Sequence, residues 1–334
     1  MLHPVAIAAA ALLSASVIVA SISYARRRRL LDAPGARRSH VAPTPRGGGI
    51  GPVLAVLALG FAPLVLAGAS SFAAAAHAFA LVAAIGWLDD HRPIAAMPRL
   101  CVHVLAAGLV AFAWPESTVA LSWPLVALAV AALAWSINLH NFMDGIDGLL
   151  AMQGAFVLAV LAFALVASGD DASAHVAAVA AAALLAFLPF NAPRARVFMG
   201  DVGSGAIGLL VGAASLWAYA SGALDLPQLL VLSSAFTIDA TATLVSRIVR
   251  GRRFLESHRE HLYQWLARRS RSHARVTLLY LAWNLVLVLP LLALTYRTSH
   301  AGTGSVYSWS VAAAVHAFGL ALWITGKRKL VRRP

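Results

Sequence analysis

Long runs of hydrophobic residues alternate with short polar stretches along the whole chain. The apolar core of a bilayer is roughly 30 Å thick, and a helix needs about 20 apolar residues to cross it. Eleven runs are of this order, and the pattern therefore predicts an all-α, polytopic membrane protein with about eleven transmembrane helices. The runs are Val5–Tyr24, Ile50–Ala67, Phe72–Leu88, Leu100–Trp114, Val119–Ile137, Leu149–Ala167, His175–Phe190, Gly205–Gly222, Pro227–Ser246, Val276–Tyr296 and Val306–Thr325.

Composition agrees with this interpretation, because 60% of the residues are hydrophobic and only 12% are charged. A soluble fold with this composition would leave large apolar surfaces in water. The longest polar stretch is too short to form a core of its own, so residues 1–334 are expected to form a single integral-membrane domain. Its predicted loops are residues 25–49, 89–99, 138–148, 191–204 and 247–275, with a basic tail at 326–334.

The charge distribution predicts the orientation. The basic cluster Arg26–Arg29 follows the first apolar run, which indicates an anchor with its N-terminus in the periplasm and not a cleaved signal. With that orientation, every lysine and arginine except Arg297 lies on the cytoplasmic side, together with the C-terminus. The net charge of +13 is therefore interpreted as a topology signal, and no nucleic-acid partner is expected.

Four loops on the predicted cytoplasmic side carry acids, amides and histidines. In the first, Asp89 and Asp90 follow the third run, a place that also suits a solvated helix end. In the second, Asn138, Asn141 and Asp144 are three residues apart and share a helical face. Such oxygen donors suit Mg²⁺, which takes one or two protein ligands and completes its shell with water and phosphates. A polar seam between helices is the alternative.

The third loop, Asn191–Gly205, places Asp201 among small residues just before a long apolar run. Backbone amides at that helix start could face an anion, or Asp201 could cap the helix. The fourth loop contains His258, Arg259 and His261, which suit phosphates and sugar hydroxyls. A zinc site and a basic segment lying on anionic headgroups are the alternatives.

Taken in order, these loops resemble the polyprenyl-phosphate N-acetylhexosamine-1-phosphate transferase superfamily, glycosyltransferase family 4. The resemblance covers nearly the whole chain, and the early basic, glycine-rich stretch Arg38–Gly49 looks like the first loop of its O-antigen-initiating branch. The sequence departs from the family pattern at Pro93, a position where members often carry an acid or a lysine. Arg92 or His91 could take the role of that residue here. The matching motifs are Asp89–Asp90, Asn141–Gly148, Phe198–Ser204 and His258–His261.

The resemblance implies an enzyme that transfers a sugar 1-phosphate from a UDP-N-acetylhexosamine to polyprenyl phosphate, undecaprenyl phosphate in a bacterium. UMP is released, and the polyprenyl-diphospho-sugar starts a cell-envelope polysaccharide such as O-antigen. The resemblance further implies a multi-pass protein of the bacterial inner membrane with a cytoplasmic active site, and it leaves a homodimer open. Glucosamine, fucosamine and quinovosamine derivatives all remain candidate sugars.

The resemblance also implies roles for individual residues. Mg²⁺, with Mn²⁺ as a substitute, would be bound at Asn141 and Asp201, while Asp89 or Asp90 would handle the lipid phosphate or its proton. Direct attack by that phosphate is favoured over a covalent aspartyl intermediate. The positions matching nucleotide or substrate contacts are Asp144, Asp147, Asn191, Phe198 (stacked on uracil), His258, Arg259, His261 and Arg46.

Two other functional classes remain open. A membrane prenyltransferase also binds a diphosphate through Mg²⁺ and aspartates, although its widely spaced aspartate-rich motifs are poorly matched. A transporter would place acids along a pathway at mid-membrane depth, where Asp239 in the ninth run is the main candidate.

Overall fold

The computed structural model describes residues 3–32, 43–113, 123–252, 258–300 and 304–331. Within these ranges the chain forms twelve helices and one pair of two-residue antiparallel strands, β1 (Leu31–Asp32) and β2 (Thr44–Pro45). The helices are α1 Pro4–Arg28, α2 Ile50–Leu66, α3 Ser70–His91, α4 Ala96–Phe112, α5 Trp123–Met143, α6 Leu149–Ser168, α7 Asp171–Asn191, α8 Asp201–Ala220, α9 Leu226–Val249, α10 Leu262–Ser270, α11 His273–His300 and α12 Gly304–Val331.

Nine of the helices in the described ranges are long and apolar enough to cross a membrane, which confirms a polytopic membrane protein. The predicted count of eleven is two too high by this measure. Helices α2 and α4 have 17 residues each, which corresponds to about 25 Å against a core of roughly 30 Å. Short strands β1 and β2 are the one departure from a purely helical chain in the part that the structure describes.

Two helices contain a wider, π-helical turn. In α2 it covers Val56–Phe61, and in α11 it covers Trp283–Val288. Each turn is flanked by α-helix on both sides, so each of the two apolar runs forms one continuous helix.

Several helices extend beyond the predicted apolar runs because polar residues cap them. Asp170 accepts a hydrogen bond from the Ser173 amide and starts α7 four residues before the predicted His175. Asp225 and Gln228 form a reciprocal capping box at the start of α9. Hydrophobicity alone cannot locate such ends. The predicted end of the fourth apolar run, Trp114, and the predicted start of the fifth, Val119, lie outside the described residues.

Helix α8 is the most deeply buried of the membrane-spanning candidates and packs closely on α5. A Cβ atom at Gly208 would lie 2.7 Å from the Ser136 carbonyl oxygen, and the Ser136 hydroxyl donates to the Gly208 carbonyl at 2.7 Å. Small residues permit such close backbone contact in apolar surroundings, where a serine hydroxyl can link two helices. This packing positions the first turn of α8, where Asp201 lies.

The chain divides into two compact units, Met1–Ala223 and Leu224–Pro334. The first contains the acidic and amide-bearing loops, and the second contains the histidine loop around His258 and His261.

Candidate active site

Asp89, Asp90 and Asp201 come together in the first unit, where the end of α3 meets the start of α8. Gly86, one turn before Asp89, makes this contact possible. A Cβ atom at Gly86 would collide with the Asp201 carbonyl, and the adjacent Val202 nitrogen would be only 2.6 Å away. Because both obstacles are backbone atoms, only glycine permits the two helices to approach this closely.

Asp90 caps helix α8 from a different helix. Its Oδ1 accepts from the Asp201 amide at 3.0 Å, and its Oδ2 accepts from the Val202 amide at 3.1 Å. These amides are at the positive end of the helix dipole and have no partner within the helix itself. Gly200 precedes them with φ +76°, and a Cβ atom there would lie 2.5 Å from the Asp90 carboxylate. The cap that the sequence suggested for Asp201 is therefore made by Asp90.

Two arginines join the carboxylates into a line of alternating charges. Arg46 contacts Asp90 at 2.8 Å and Asp201 at 3.2 Å. Arg99 contacts the other Asp201 oxygen at 2.8 Å and Asp89 at 2.9 Å. Asp90 is only 3% exposed, whereas Arg46 is 36% exposed, so the cluster opens toward solvent on its arginine side.

Arg99 is a functional candidate that the sequence interpretation missed. It lies in the first turn of α4 and, unlike His91, it reaches the carboxylates. His91 instead bonds with the Tyr24 hydroxyl and the Trp87 carbonyl. A signal was available, because Arg99 is a lone cation immediately before the predicted apolar run at Leu100.

Asn141 joins the same cluster from the end of α5. Its Nδ2 donates to the Ser204 hydroxyl at 2.9 Å, and its side-chain amide also hydrogen-bonds with the Asp201 carboxylate. Asn138 uses its Nδ2 to bond with the Ala134 carbonyl of its own helix. The sequence predicted that Asn138, Asn141 and Asp144 share one helical face. That prediction is wrong for Asp144, because α5 ends at Met143.

Asp144 lies just beyond α5, within the electrostatic reach of the acids. Burial and the negative charge of Asp201 raise the pKa of Asp144 to about 8. At neutral pH its carboxyl therefore keeps a proton and is a hydrogen-bond donor. A nearby cation would favour its ionised form.

Asn191 and Asp147 hold two loops together. The Asn191 Oδ1 accepts from the Gly148 amide at 2.7 Å, and its Nδ2 donates to the Val197 carbonyl at 2.9 Å. Asp147 accepts from the Ala195 amide at 3.2 Å. Asn191 is buried, and its amide group binds backbone on both sides, so its observed role is to shape the loops.

Phe198 connects the same region to the loop that carries Arg46. Its amide donates to the Pro45 carbonyl and its carbonyl accepts from the Gly48 amide, both at 2.9 Å. The Phe198 side chain is half-buried. The earlier part of this basic loop, Arg38–His40, lies outside the described residues.

In the second unit, the histidine loop is held by Asp239, which is 2% exposed. Asp239 accepts from the Leu262 amide at 2.7 Å and the Tyr263 amide at 3.1 Å, and so caps α10. It also accepts from the Tyr280 hydroxyl at 2.8 Å and the Trp323 indole at 3.2 Å. This buried acid thus connects α9, α10, α11 and α12, a structural role that the sequence left undecided.

Three polar residues of the loop lie just before or at the start of α10. Burial and the neighbouring His261 lower the pKa of His258 to about 4, so its imidazole is neutral at pH 7. The His258 and His261 rings stack with centroids 5.0 Å apart, and His261 is buried as the N-cap of α10. The carbonyl of Arg259 accepts from Arg268 at 3.1 Å. The histidines therefore offer neutral donors and acceptors.

Asp201 and Asn141 supply the hard oxygen chemistry that Mg²⁺ prefers. No group of three or more His, Cys, Asp or Glu side chains in the described ranges forms a ready metal cage. Magnesium does not require one, since waters and substrate phosphates usually complete its shell. The donor set therefore fits the ion, although Arg46 and Arg99 pair with both Asp201 oxygens in this structure.

We expect Gly86→Ala to destabilise the protein by about 3 kcal/mol, because the added methyl meets backbone atoms of α8 that cannot move aside. Thermal unfolding of the purified protein in detergent measures the effect. Gly108→Ala in α4 is the matched control, since the nearest atom to its Cβ would be a Phe112 ring carbon at 3.9 Å. Equal unfolding temperatures for the two variants would contradict the close contact between α3 and α8.

The family described as glycosyl transferase family 4 matches residues 72–219. Decaprenyl-phosphate N-acetylglucosaminephosphotransferase of Mycobacterium leprae is 33% identical over 299 residues, which cover 78% of this chain and 75% of the relative. The enzyme of the same name from Mycolicibacterium smegmatis is 34% identical over 290 residues, covering 75% and 71%. Phospho-N-acetylmuramoyl-pentapeptide-transferase of Synechococcus elongatus is 34% identical over 238 residues, 62% of each chain. On this similarity, the chain belongs to glycosyl transferase family 4.

Proposed function

We propose that the protein transfers N-acetylglucosamine 1-phosphate from UDP-N-acetylglucosamine to a polyprenyl phosphate, releasing UMP. The observation that carries the proposal is the line of alternating charges in a member of this family, formed by Asp90, Arg46, Asp201, Arg99 and Asp89. The donor sugar follows the names of the mycobacterial relatives. The polyprenyl-diphospho-sugar would start an envelope polysaccharide, as in the O-antigen-initiating branch.

Phosphoryl transfer depends mainly on positioning and on stabilising negative charge, and the cluster suits both tasks. Arg46 and Arg99 are partly exposed guanidinium groups that can exchange a carboxylate partner for phosphate oxygens. Asp201 and Asn141 would hold Mg²⁺, or Mn²⁺ in its place. When bound, the ion would neutralise charge on the donor pyrophosphate.

Asp89 and Asp90 have separate roles in this proposal. Asp90 is a positioning residue, since it binds the first two amides of α8 and Arg46. Asp89 accepts the proton of the lipid phosphate. A lipid phosphate oxygen then forms a bond to the β-phosphorus of the donor, and the bond from that phosphorus to the UMP oxygen breaks. No covalent enzyme intermediate is needed.

The remaining candidate residues are assigned by their chemistry. Asp144, as a buried carboxyl, and Phe198, as a half-buried ring, are proposed nucleotide contacts. Asp147 and Asn191 shape the loops around them. His258, Arg259 and His261 are proposed to recognise phosphate or sugar oxygens.

The membrane arrangement is part of the same proposal. We infer that residues 1–334 act as one transferase in the bacterial inner membrane, with the N-terminus in the periplasm and the candidate site at the cytoplasmic face. The positive-inside distribution supports this orientation. The 17-residue helices α2 and α4 would also cross where the bilayer is locally thin, giving the eleven crossings expected from the hydrophobic pattern. A homodimer is compatible with all of these features.

The proposal is tested by UMP release from the purified protein in detergent, with Mg²⁺ and either undecaprenyl or decaprenyl phosphate. The donor panel contains UDP-N-acetylglucosamine, other UDP-N-acetylhexosamines and UDP-N-acetylmuramoyl-pentapeptide. We expect UMP only when lipid phosphate and a divalent cation are both present, with UDP-N-acetylglucosamine as the preferred donor. Preference for another sugar would refute the donor assignment, and turnover of a prenyl diphosphate without UMP would refute the reaction.

A further inference from the structure

A cavity of about 550 Å³ lies in the second unit. It is located where the C-terminal ends of α9 and α12 lie side by side. The side chains that define its chemistry are Arg250, Arg252, Lys327, Arg328, Trp265 and Trp323.

The cavity has an excess of positive charge. Four cations line it, against one carboxylate, Glu260. That carboxylate is already shared by three arginines, with Arg250 at 2.9 Å, Arg252 at 3.2 Å and Arg247 in closer contact. Glu260 therefore has little capacity left to neutralise the cations contributed by α12.

Lys327 is the strongest indication of an anionic ligand. Its ammonium group has almost no solvent-exposed surface and has no hydrogen-bond partner among the residues that the structure describes. It lies 4.6 Å from the centroid of the Trp323 ring, a cation–π contact that provides no hydrogen-bond acceptor. An ammonium group withdrawn from water is costly unless an acceptor replaces its hydration. Phosphate oxygens would meet this requirement.

The surroundings favour a phosphate that belongs to a membrane lipid. Both α9 and α12 are membrane-spanning candidates, and tryptophans and cations at helix ends are typical of the bilayer interface. Exposed apolar side chains lie next to the cavity residues along the same helices: Val245, Ile248 and Val249 on α9, and Leu322 on α12. They provide a surface for acyl chains directly beside the cationic cavity.

We propose that this cavity binds the phosphate of an anionic membrane phospholipid. Lys327 and Arg328 hold the headgroup phosphate, while the acyl chains lie along the exposed apolar residues of α9 and α12. None of the lining residues is itself assigned to the donor, the lipid carrier or the metal, although Glu260 lies between Arg259 and His261 in the histidine loop.

Native mass spectrometry of the detergent-purified protein, titrated with dioleoyl-phosphatidylglycerol, tests this site. Lys327→Ala combined with Arg328→Ala should weaken phosphatidylglycerol binding roughly tenfold or more. Lys329→Ala combined with Arg275→Ala removes the same charge from the second unit at exposed positions outside the cavity, and should leave binding unchanged. Lys327→Arg should keep most of the binding, because it preserves the charge.

Further measurements identify the source of the phosphate and test whether the cavity variant is folded. Dioleoyl-phosphatidylcholine, which has no net charge, should bind more weakly than phosphatidylglycerol, and millimolar inorganic phosphate should not displace the lipid. Equal loss in the cavity and control variants would overturn the site, and displacement by inorganic phosphate would overturn its assignment to a lipid. Retention of wild-type UMP release by the cavity variant would show that it is folded and that the site is separate from the reaction.

Discussion

Asp201→Asn is expected to lower UMP release by on the order of 10²–10³-fold while leaving the protein folded. Asp201 pairs with Arg46 and Arg99 and is the proposed carboxylate ligand of the divalent cation. The isosteric amide keeps the volume and some hydrogen bonding but removes the negative charge on which both interactions depend. Initial rates of UMP release at saturating donor and lipid phosphate measure the loss, with thermal unfolding measured in parallel.

Asp171→Asn is the matched control, since Asp171 is likewise an acid at the first position of a helix, in this case the exposed start of α7. It should retain wild-type turnover. Activity of Asp201→Asn within a few-fold of wild type would remove Asp201 from the catalytic centre.

Asp89→Asn and Asp90→Asn are expected to fail in different ways. Asp90 is buried and accepts from two backbone amides of α8 besides pairing with Arg46. An amide at this position would present an N–H group to one of those donors and remove the negative charge that pairs with Arg46. We expect a loss of about 3–5 kcal/mol of stability, the range for breaking one side of a buried pair, together with loss of turnover.

For Asp89→Asn the loss of stability should be smaller, because the amide oxygen can still accept from the Ile94 amide, which lies 2.6 Å from Asp89 Oδ1, and Arg99 keeps Asp201 as a partner. Its turnover should nevertheless fall by on the order of 10²-fold, a typical contribution of a general base. Thermal unfolding and UMP release, measured on both variants, separate the two roles. The assignment is wrong if both variants lose the same amount of stability.

The course of the helices could be predicted from the hydrophobic pattern, because lipid requires nearly every spanning segment to be apolar. The ends could not, since they are determined by single polar contacts. Helix α8 begins at Asp201 instead of Gly205 because Asp90, distant in sequence, binds its first amides. No pattern local to residues 201–205 contains that information.

The candidate site was predictable as a set of residue types, but the contacts among them were not. Asp89, Asp90, Asn141 and Asp201 could be selected because acids and amides are expensive at a membrane boundary without partners. Arg99 was passed over because its partners, Asp89 and Asp201, lie 10 and 102 residues away in the chain. Asp239 was ambiguous for the same reason, since four of its donors come from three other helices.

The line of alternating charges has a consequence for how the centre meets its substrates. Three carboxylates, Asp89, Asp90 and Asp201, are opposed by two guanidinium groups, Arg46 and Arg99, which leaves one net negative charge when all five are ionised. Such a surface weakly repels a UDP-sugar and a lipid phosphate. One divalent cation changes the net charge from −1 to +1, so the sign of the local potential, and with it the approach of both anions, depends on a single ion.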